Sequence, residues 1–166
     1  MTDREREFER LFADHADAIH RYAVRRDPAN ADDVVAEVFL VAWRRLEDVP
    51  TGDPLPFLYG VARRVQANMH RGDRRRAALA DRVGEPAPTP AGCDGEVLAA
   101  LARLPERDRE VLMLVAWEGL DHGAAAKVLG TTRTNVAVRL HRARRRLARE
   151  LEPAAPTLLT EENAHV

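Results

Sequence analysis

Residues 121–140 read DHGAAAKVLGTTRTNVAVRL. Asp121 can cap a short alanine-rich helix, and Gly130 can end it, because glycine readily adopts the left-handed conformation that follows many helices. A second helix, from Thr134 to Leu151, is predicted by its apolar residues at helical spacing. Ala126 is small at the point where the two helices would cross. The stretch therefore predicts a helix-turn-helix.

The outer side of the second helix is basic. Val136 and Leu140 lie on its inner side, and no acidic residue follows on the helix until Glu150. Arginine can contact guanine or phosphate, and asparagine can pair with adenine, so such a helix suits the DNA major groove. The alternative is that the arginines only solvate the end of the helix. Because they follow a helix-turn-helix pattern without an acidic residue among them, DNA binding is favoured. The predicted duplex-binding residues are Arg133, Asn135, Arg139, Arg142, Arg144 and Arg145.

Apolar residues recur at intervals of three and four through most of the chain, as in amphipathic helices. Residues 1–72 are predicted to form a first domain of three helices. The first helix should end near Asp27, since a proline follows. The second, capped by Asn30, should end at the breaker residues 50–54, and the third should run from Leu55 to Met69.

Residues 73–95 open with arginines and continue with glycine and proline, a composition typical of a linker. A second domain is predicted over residues 96–152. It begins with a short helix, followed by helices from Glu106 to Trp117 and from His122 to Leu129, and residues 153–166 are predicted to be a flexible tail. The expected fold class is all-α, with two small helical domains joined by a flexible linker.

The composition indicates a folded protein, with 45% hydrophobic and 32% charged residues in 166. The 26 basic and 27 acidic residues nearly cancel, so the location of the charges is more informative than their sum. Cys93 is the only cysteine, which excludes a disulfide scaffold and favours a reducing compartment. With neither a signal peptide nor a long apolar run, the expected location is cytoplasmic.

Two further charged clusters lie in the first domain. The second helix carries acidic residues on one exposed face, next to a leucine, and this face suits a basic protein partner rather than DNA. Its members are Asp32, Asp33, Glu37 and Leu40. A basic cluster closes the third helix, where a solvated helix end and a nucleic-acid contact are both reasonable interpretations. It includes Arg63, Arg64, Arg71, Arg74, Arg75 and Arg76.

Catalytic motifs are missing from the sequence. There is no phosphate-binding glycine loop, nucleophile elbow or kinase signature. His15 and His20 diverge on a helix and the other histidines are scattered, so no metal site is expected. The sequence predicts neither an enzyme nor a cofactor.

The two domains together resemble the extracytoplasmic function group of bacterial sigma-70 family RNA polymerase sigma factors, from Phe8 to Leu151. Residues 31–43, ADDVVAEVFLVAW, are similar to region 2.2, which binds the coiled coil of the polymerase β′ subunit. Residues 54–64, PLPFLYGVARR, are similar to regions 2.3 and 2.4, which open the promoter and read the minus-ten element as a single strand. Residues 104–112, LPERDREVL, with the helix-turn-helix, are similar to region 4, which reads the minus-thirty-five duplex.

The resemblance implies a dissociable promoter-specificity subunit that catalyses nothing itself. Its expected partners are core RNA polymerase, through the β′ coiled coil and the β subunit, and promoter DNA. An anti-sigma factor is a further candidate partner, whereas membrane insertion and a small-molecule substrate are not expected. The resemblance assigns polymerase binding to Asp32, Asp33, Glu37 and Leu40, and minus-ten binding to Arg63, Arg64, Asn68 and Arg71.

Some positions depart from the usual family pattern. Ala36 replaces a common glutamine, Arg64 replaces a common asparagine, and Ala137 with Val138 replace a polar pair on the recognition helix. The promoter sequence therefore cannot be transferred from relatives. A stand-alone helix-turn-helix regulator is the main alternative, and a nucleic-acid-processing enzyme with such a module is a weaker one.

Overall fold

A computed structural model describes residues 1–80 and 95–152, which form seven α-helices and no β-strand. This confirms the predicted all-α class with two helical domains. Residues 81–94 of the predicted linker, which include Cys93, and the predicted tail over residues 153–166 lie outside the described residues. The helices are α1 (Asp3–Arg26), α2 (Ala31–Arg44), α3 (Leu55–Ala80), α4 (Gly95–Arg103), α5 (Glu106–Ala116), α6 (His122–Leu129) and α7 (Arg133–Leu151).

Helices α1, α2 and α3 pack around the core of the first domain. Ile19, Val34 and Leu58 are fully buried there, and the rings of Tyr22 and Tyr59 lie 5.1 Å apart between centroids. These residues come from the predicted apolar stripes, so burial of those stripes holds the three helices together.

Helix α1 ends where the sequence predicts, whereas α2 ends at Arg44, earlier than the predicted breaker residues 50–54, and a separate 3-10 turn over Leu46–Asp48 follows it. The first helix ends before Asp27, as the following proline predicts. Asn30 is the N-cap residue of α2, as predicted, but its side chain forms no capping hydrogen bond. Its amide Nδ2 instead donates to Asp27 Oδ2 at 2.8 Å, and so binds the loop between α1 and α2.

Helix α3 is longer than predicted, because it continues past Met69 to Ala80. Residues 73–80, which the composition assigns to the linker, are therefore helical. This extension is exposed over residues 73–79, so it has no buried stripe that periodicity could detect. Its arginines and alanines favour helix intrinsically, and Arg76 pairs with Asp73 across 2.6 Å along the same helix.

The second domain contains the predicted helix-turn-helix. Gly130 adopts φ 63° and ψ 39°, the left-handed conformation that ends α6. The Asp121 carboxylate accepts from the Ala124 N–H at 2.8 Å, and this bond holds the pKa of Asp121 below its usual value. Thr132 caps α7 by accepting from the Asn135 N–H at 3.2 Å. Val136 and Leu140 are buried against α5 and α6, which fixes the outer side of α7.

The two domains also touch each other, mainly where α3 packs against α6. A Cβ on Gly60 would lie 4.0 Å from the Val128 Cα, so the two helix backbones approach closely at this point. The sequence did not predict this contact.

Candidate DNA and polymerase interfaces

The exposed side of α7 forms the first candidate interface. Because Val136, Leu140 and Ala143 are buried, the opposite side of the helix faces solvent. The predicted duplex-binding residues are all exposed except Arg139, which is half-buried. Asn135 lies in the first turn, and its amide Nδ2 donates to Thr131 Oγ1 at 3.2 Å. We call this exposed side the recognition face; it comprises Thr134, Asn135, Val138, Arg142 and Arg145.

Some charged residues of α7 form ion pairs within the second domain, and others do not. Arg146 binds Asp108 on α5, and Glu150 accepts from Arg103 on α4 at 2.5 Å. These two ion pairs hold α7 in its domain. Within residues 1–80 and 95–152, Arg142 and Arg145 form no ion pair. Their charge is available for phosphates or base edges.

The second candidate interface is the acidic face of α2. Asp32, Asp33 and Glu37 are exposed on one side, while Val34 is buried on the other. Leu40 lies one turn beyond Glu37 and is 40% exposed. Three carboxylates around an exposed leucine form a surface that repels DNA and suits a basic partner with an apolar centre.

The third candidate interface is the basic side of α3. The structure exposes Arg64, Asn68 and Arg71 at spacings of four and three residues, which places them on one side of the helix. Arg71 donates to the Asn68 side-chain oxygen, and Arg64 Nε donates to the Gly60 carbonyl at 3.2 Å.

Arg63, the fourth predicted minus-ten residue, points in a different direction from these three. Its guanidinium binds Glu110 on α5 with two hydrogen bonds, one of them from Nη2 to Oε2 at 3.3 Å. The bond to Glu110 raises the pKa of Arg63 despite its partial burial. In this structure Arg63 therefore belongs to the contact between the domains.

A buried group of charges at the same contact escaped the sequence analysis. Glu118 lies on the loop after α5, and its side chain is 3% exposed. Its carboxylate accepts from Arg25 Nη1 at 3.1 and 3.0 Å and from Arg26 Nη1 at 3.1 Å. Arg25 lies 5.8 Å from the Trp117 ring centroid and Arg26 lies 3.6 Å from that of Tyr22. We call Arg25, Arg26 and Glu118 the interdomain clamp.

The partners of the clamp lie 92 and 93 residues apart in the sequence. No helical period or short motif connects residues at such separations. The only local signal was an acidic residue directly before Gly119, which adopts φ 67°, and this identifies a turn rather than a partner.

An open cleft of about 900 Å³ lies between the domains beside the clamp. Arg64 and Arg71 line one side, and Leu98, Met113 and Trp117 line the other. Within the described part of the chain, no three histidine, cysteine or acidic side chains are placed to share a metal ion. None of the described helices combines the length and apolar character needed to cross a bilayer.

The fold and its charged faces define a protein of two helical domains, one of which carries a helix-turn-helix with an exposed basic side. Residues 11–76 match the sequence family described as sigma-70 region 2, and residues 94–147 match sigma-70, region 4. The ECF RNA polymerase sigma factor SigL of Mycobacterium tuberculosis is 34% identical over 159 residues, which cover 89% of this chain and 90% of SigL. SigD of the same organism is 36% identical over 145 residues, covering 79% of this chain and 68% of SigD.

This chain belongs to the extracytoplasmic function group of the sigma-70 family of RNA polymerase sigma factors. It spans 36% of the length of another relative, the probable sigma factor RfaY of Xanthomonas campestris, at 31% identity over 143 residues, which cover 78% of this chain. A solved structure of the sigma factor RpoE with the anti-sigma factor NepR from Bartonella quintana has the same fold. Its TM-score is 0.71 at 22% identity, covering 89% of this chain and 98% of that one.

Proposed function

We propose that this chain is a dissociable promoter-specificity subunit that directs core RNA polymerase to particular promoters and catalyses no reaction itself. One observation carries the proposal. The chain presents a basic recognition face on a helix-turn-helix and, on its other domain, an exposed acidic face around Leu40. One surface suits DNA and the other a basic protein, as an adaptor between polymerase and promoter requires.

The acidic face of α2 is the proposed polymerase contact. Asp32, Asp33 and Glu37 would attract a basic segment of the β′ coiled coil, and Leu40 would supply the apolar centre. The β subunit is a further proposed contact of the chain. Exposed charges mainly accelerate association and select the partner, so binding through this face should weaken as salt rises.

The two basic surfaces are assigned to the two parts of the promoter. Arg64, Asn68 and Arg71 on α3, with Arg63 beside them, would contact the opened minus-ten strand, because guanidinium groups bind phosphates and stack on bases. The recognition face of α7, with Arg133, Arg139 and Arg144, would hold the minus-thirty-five duplex. Each side chain that pairs with a base should contribute about 1–3 kcal/mol to discrimination.

The cleft between the domains supports an anti-sigma factor as a further partner. A regulator with acidic and apolar side chains would fit a cleft that is lined by arginines of both domains and by the apolar residues Leu98, Met113 and Trp117. The Bartonella sigma factor of the same fold was solved in complex with such a regulator. A cytoplasmic location follows from the proposed role, because the polymerase acts there.

Transcription with purified components tests the proposed function. The protein and bacterial core polymerase are incubated with a library of promoter fragments, and transcripts that need both proteins are sequenced. Defined start sites are expected. If the protein alone bound particular DNA fragments tightly and no specific initiation occurred, a stand-alone regulator would replace this proposal.

The acidic face is tested by a charge-matched pair of variants. Asp33→Asn with Glu37→Gln should abolish binding to core polymerase and leave duplex contacts intact. Asp14→Asn with Asp17→Asn removes the same charge from exposed positions on α1 and should retain binding. Equal polymerase affinity of the two double variants would refute the assignment of α2.

A further inference from the structure

We infer that Val138 reads the methyl group of a thymine in the promoter duplex. This inference rests on the proposed role of α7 and deepens it, since it names a base that the recognition face selects. The arginines assigned to the duplex can bind phosphates of any DNA sequence, so they do not determine which base the helix selects.

Val138 is placed at the centre of the recognition face. It is 45% exposed and belongs neither to the buried core nor to the half-buried residues packed against it. Thr134 lies one turn before it and Arg142 one turn after it, and both are exposed on the same side. At 100° per residue, Val138 lies nearly opposite the buried stripe of α7.

The properties of valine point to the ligand. Its side chain cannot form hydrogen bonds and its helix propensity is lower than that of alanine or arginine, so neither solubility nor helix stability favours it at this position. The only apolar group that a base edge presents in the major groove is the C5-methyl of thymine. Arg142 and Arg145 on the same face can hold the helix on the backbone while Val138 contacts that methyl.

The contact should alter promoter use by about fourfold, because burying one methyl-sized group contributes about 0.8 kcal/mol. Once transcription with core polymerase has defined a promoter, each thymine of its minus-thirty-five element is replaced in turn by deoxyuridine. This change removes the methyl and no hydrogen-bonding group. One position should reduce initiation by the wild-type holoenzyme about fourfold, and the Val138→Ala holoenzyme should no longer respond there.

Val138→Thr is the matched control, because threonine keeps one methyl at the same branch point and should retain part of the response. Identical deoxyuridine profiles for wild type and Val138→Ala, or a duplex element without a responsive thymine, would overturn the inference. The variant Arg142→Ala distinguishes an error in the inference about Val138 from an error in the proposed role of α7. If Arg142→Ala weakens the footprint on the duplex, α7 still binds DNA; an unchanged footprint would overturn both.

The contact between the domains carries a second, independent inference. We infer that free sigma closes its two domains on each other and so withholds Arg63 from the minus-ten strand. Glu110 occupies both the Nε and one Nη of Arg63, and a DNA phosphate would have to displace this carboxylate. The clamp holds the loop after α5 against α1 beside this pair, and so keeps Glu110 in place against Arg63.

Two features of the contact between the domains favour its opening. Within the described residues, Arg26 Nη2 is a buried donor with no acceptor, so closure leaves one hydrogen bond unmade. Arg25 and Arg63 keep 26% and 40% of their side chains exposed, and water can replace their partners. Polymerase that holds the two domains apart would then release Arg63 for the promoter.

Binding of free sigma to a fluorescent single strand that carries the minus-ten sequence tests closure. A variant with Glu110→Gln and Glu118→Gln should bind at least thirtyfold more tightly than wild type, the factor that corresponds to about 2 kcal/mol for loss of the Glu118 carboxylate alone. Glu150→Gln is the control, because its pair with Arg103 lies inside the second domain. Equal affinity of wild type and the double variant, including equal absence of binding, would overturn the inference.

Discussion

Replacing Glu118 by glutamine removes one negative charge from the interdomain clamp and keeps the shape of the side chain. Two guanidinium groups then face an uncharged amide at a position that is almost inaccessible to water. Losing one partner of a buried ion pair costs about 3–5 kcal/mol. Arg25 and Arg26 are partly exposed, so hydration recovers some of this, and we expect a cost of about 2 kcal/mol.

A cost of about 2 kcal/mol shifts the equilibrium between closed and separated domains about thirtyfold toward separation. The fluorescence of Trp117 reports on this equilibrium, because its ring lies against Arg25 at the contact. Trp43, the other tryptophan, is changed to phenylalanine in all samples. In a urea titration, the Trp117 transition of Glu118→Gln should move to clearly lower urea than that of the parent.

Glu150→Gln provides the comparison for this shift. It also removes one carboxylate bound by an arginine, but its pair is exposed and lies within one domain, so the expected cost is below about 1 kcal/mol. If Glu118→Gln and Glu150→Gln moved the transition equally, burial of Glu118 between the domains would not be what stabilises the contact.

Three further changes test the fold that presents the interfaces. Leu140→Ala, in the core of the helix-turn-helix at 2% exposure, should reduce the unfolding free energy of the second domain by about 3 kcal/mol in urea; a loss below 1 kcal/mol would contradict the packing described. Thr132→Ala removes the cap of α7 and should cost about 1 kcal/mol by the same assay, with no cost expected if the cap bond is not formed. Burial, assisted by the charge of Glu118, raises the pKa of Tyr59 to about 12. The unfolded chain ionises near pH 10, so stability should be unaffected below pH 10 and fall by about 2 kcal/mol toward pH 12, and Tyr59→Phe should reduce this loss.

Local patterns in the sequence predicted most of the helices. Asp121 and Gly130 mark the ends of α6 because capping and the left-handed turn depend on the residue itself. The end of α3 was missed for a physical reason. Periodicity detects an apolar stripe, and residues 73–79 bury no such stripe, so the helix there depends on intrinsic propensity and charge pairs instead.

The exposure of the predicted site residues also follows from periodicity, since buried stripes on α2, α3 and α7 determine which side chains remain outside. Their mutual contacts do not follow from it. Arg63 pairs with Glu110 at a separation of 47 residues, and the clamp joins residues nearly twice as far apart. Such pairs depend on how two domains meet, and no local period contains that information.

The near-neutral charge of the chain has a functional explanation once its charges are located. Under the proposed function, the acidic face of α2 repels DNA and attracts polymerase, while the basic faces of α3 and α7 attract DNA. Segregated charges thus assign each partner to its own surface without a net charge that would favour either. The clamp and the pair of Arg63 with Glu110 bring the two signs together. Opposite charges satisfy each other there while no partner is bound, and binding of DNA to α3 must therefore compete with the chain's own carboxylates.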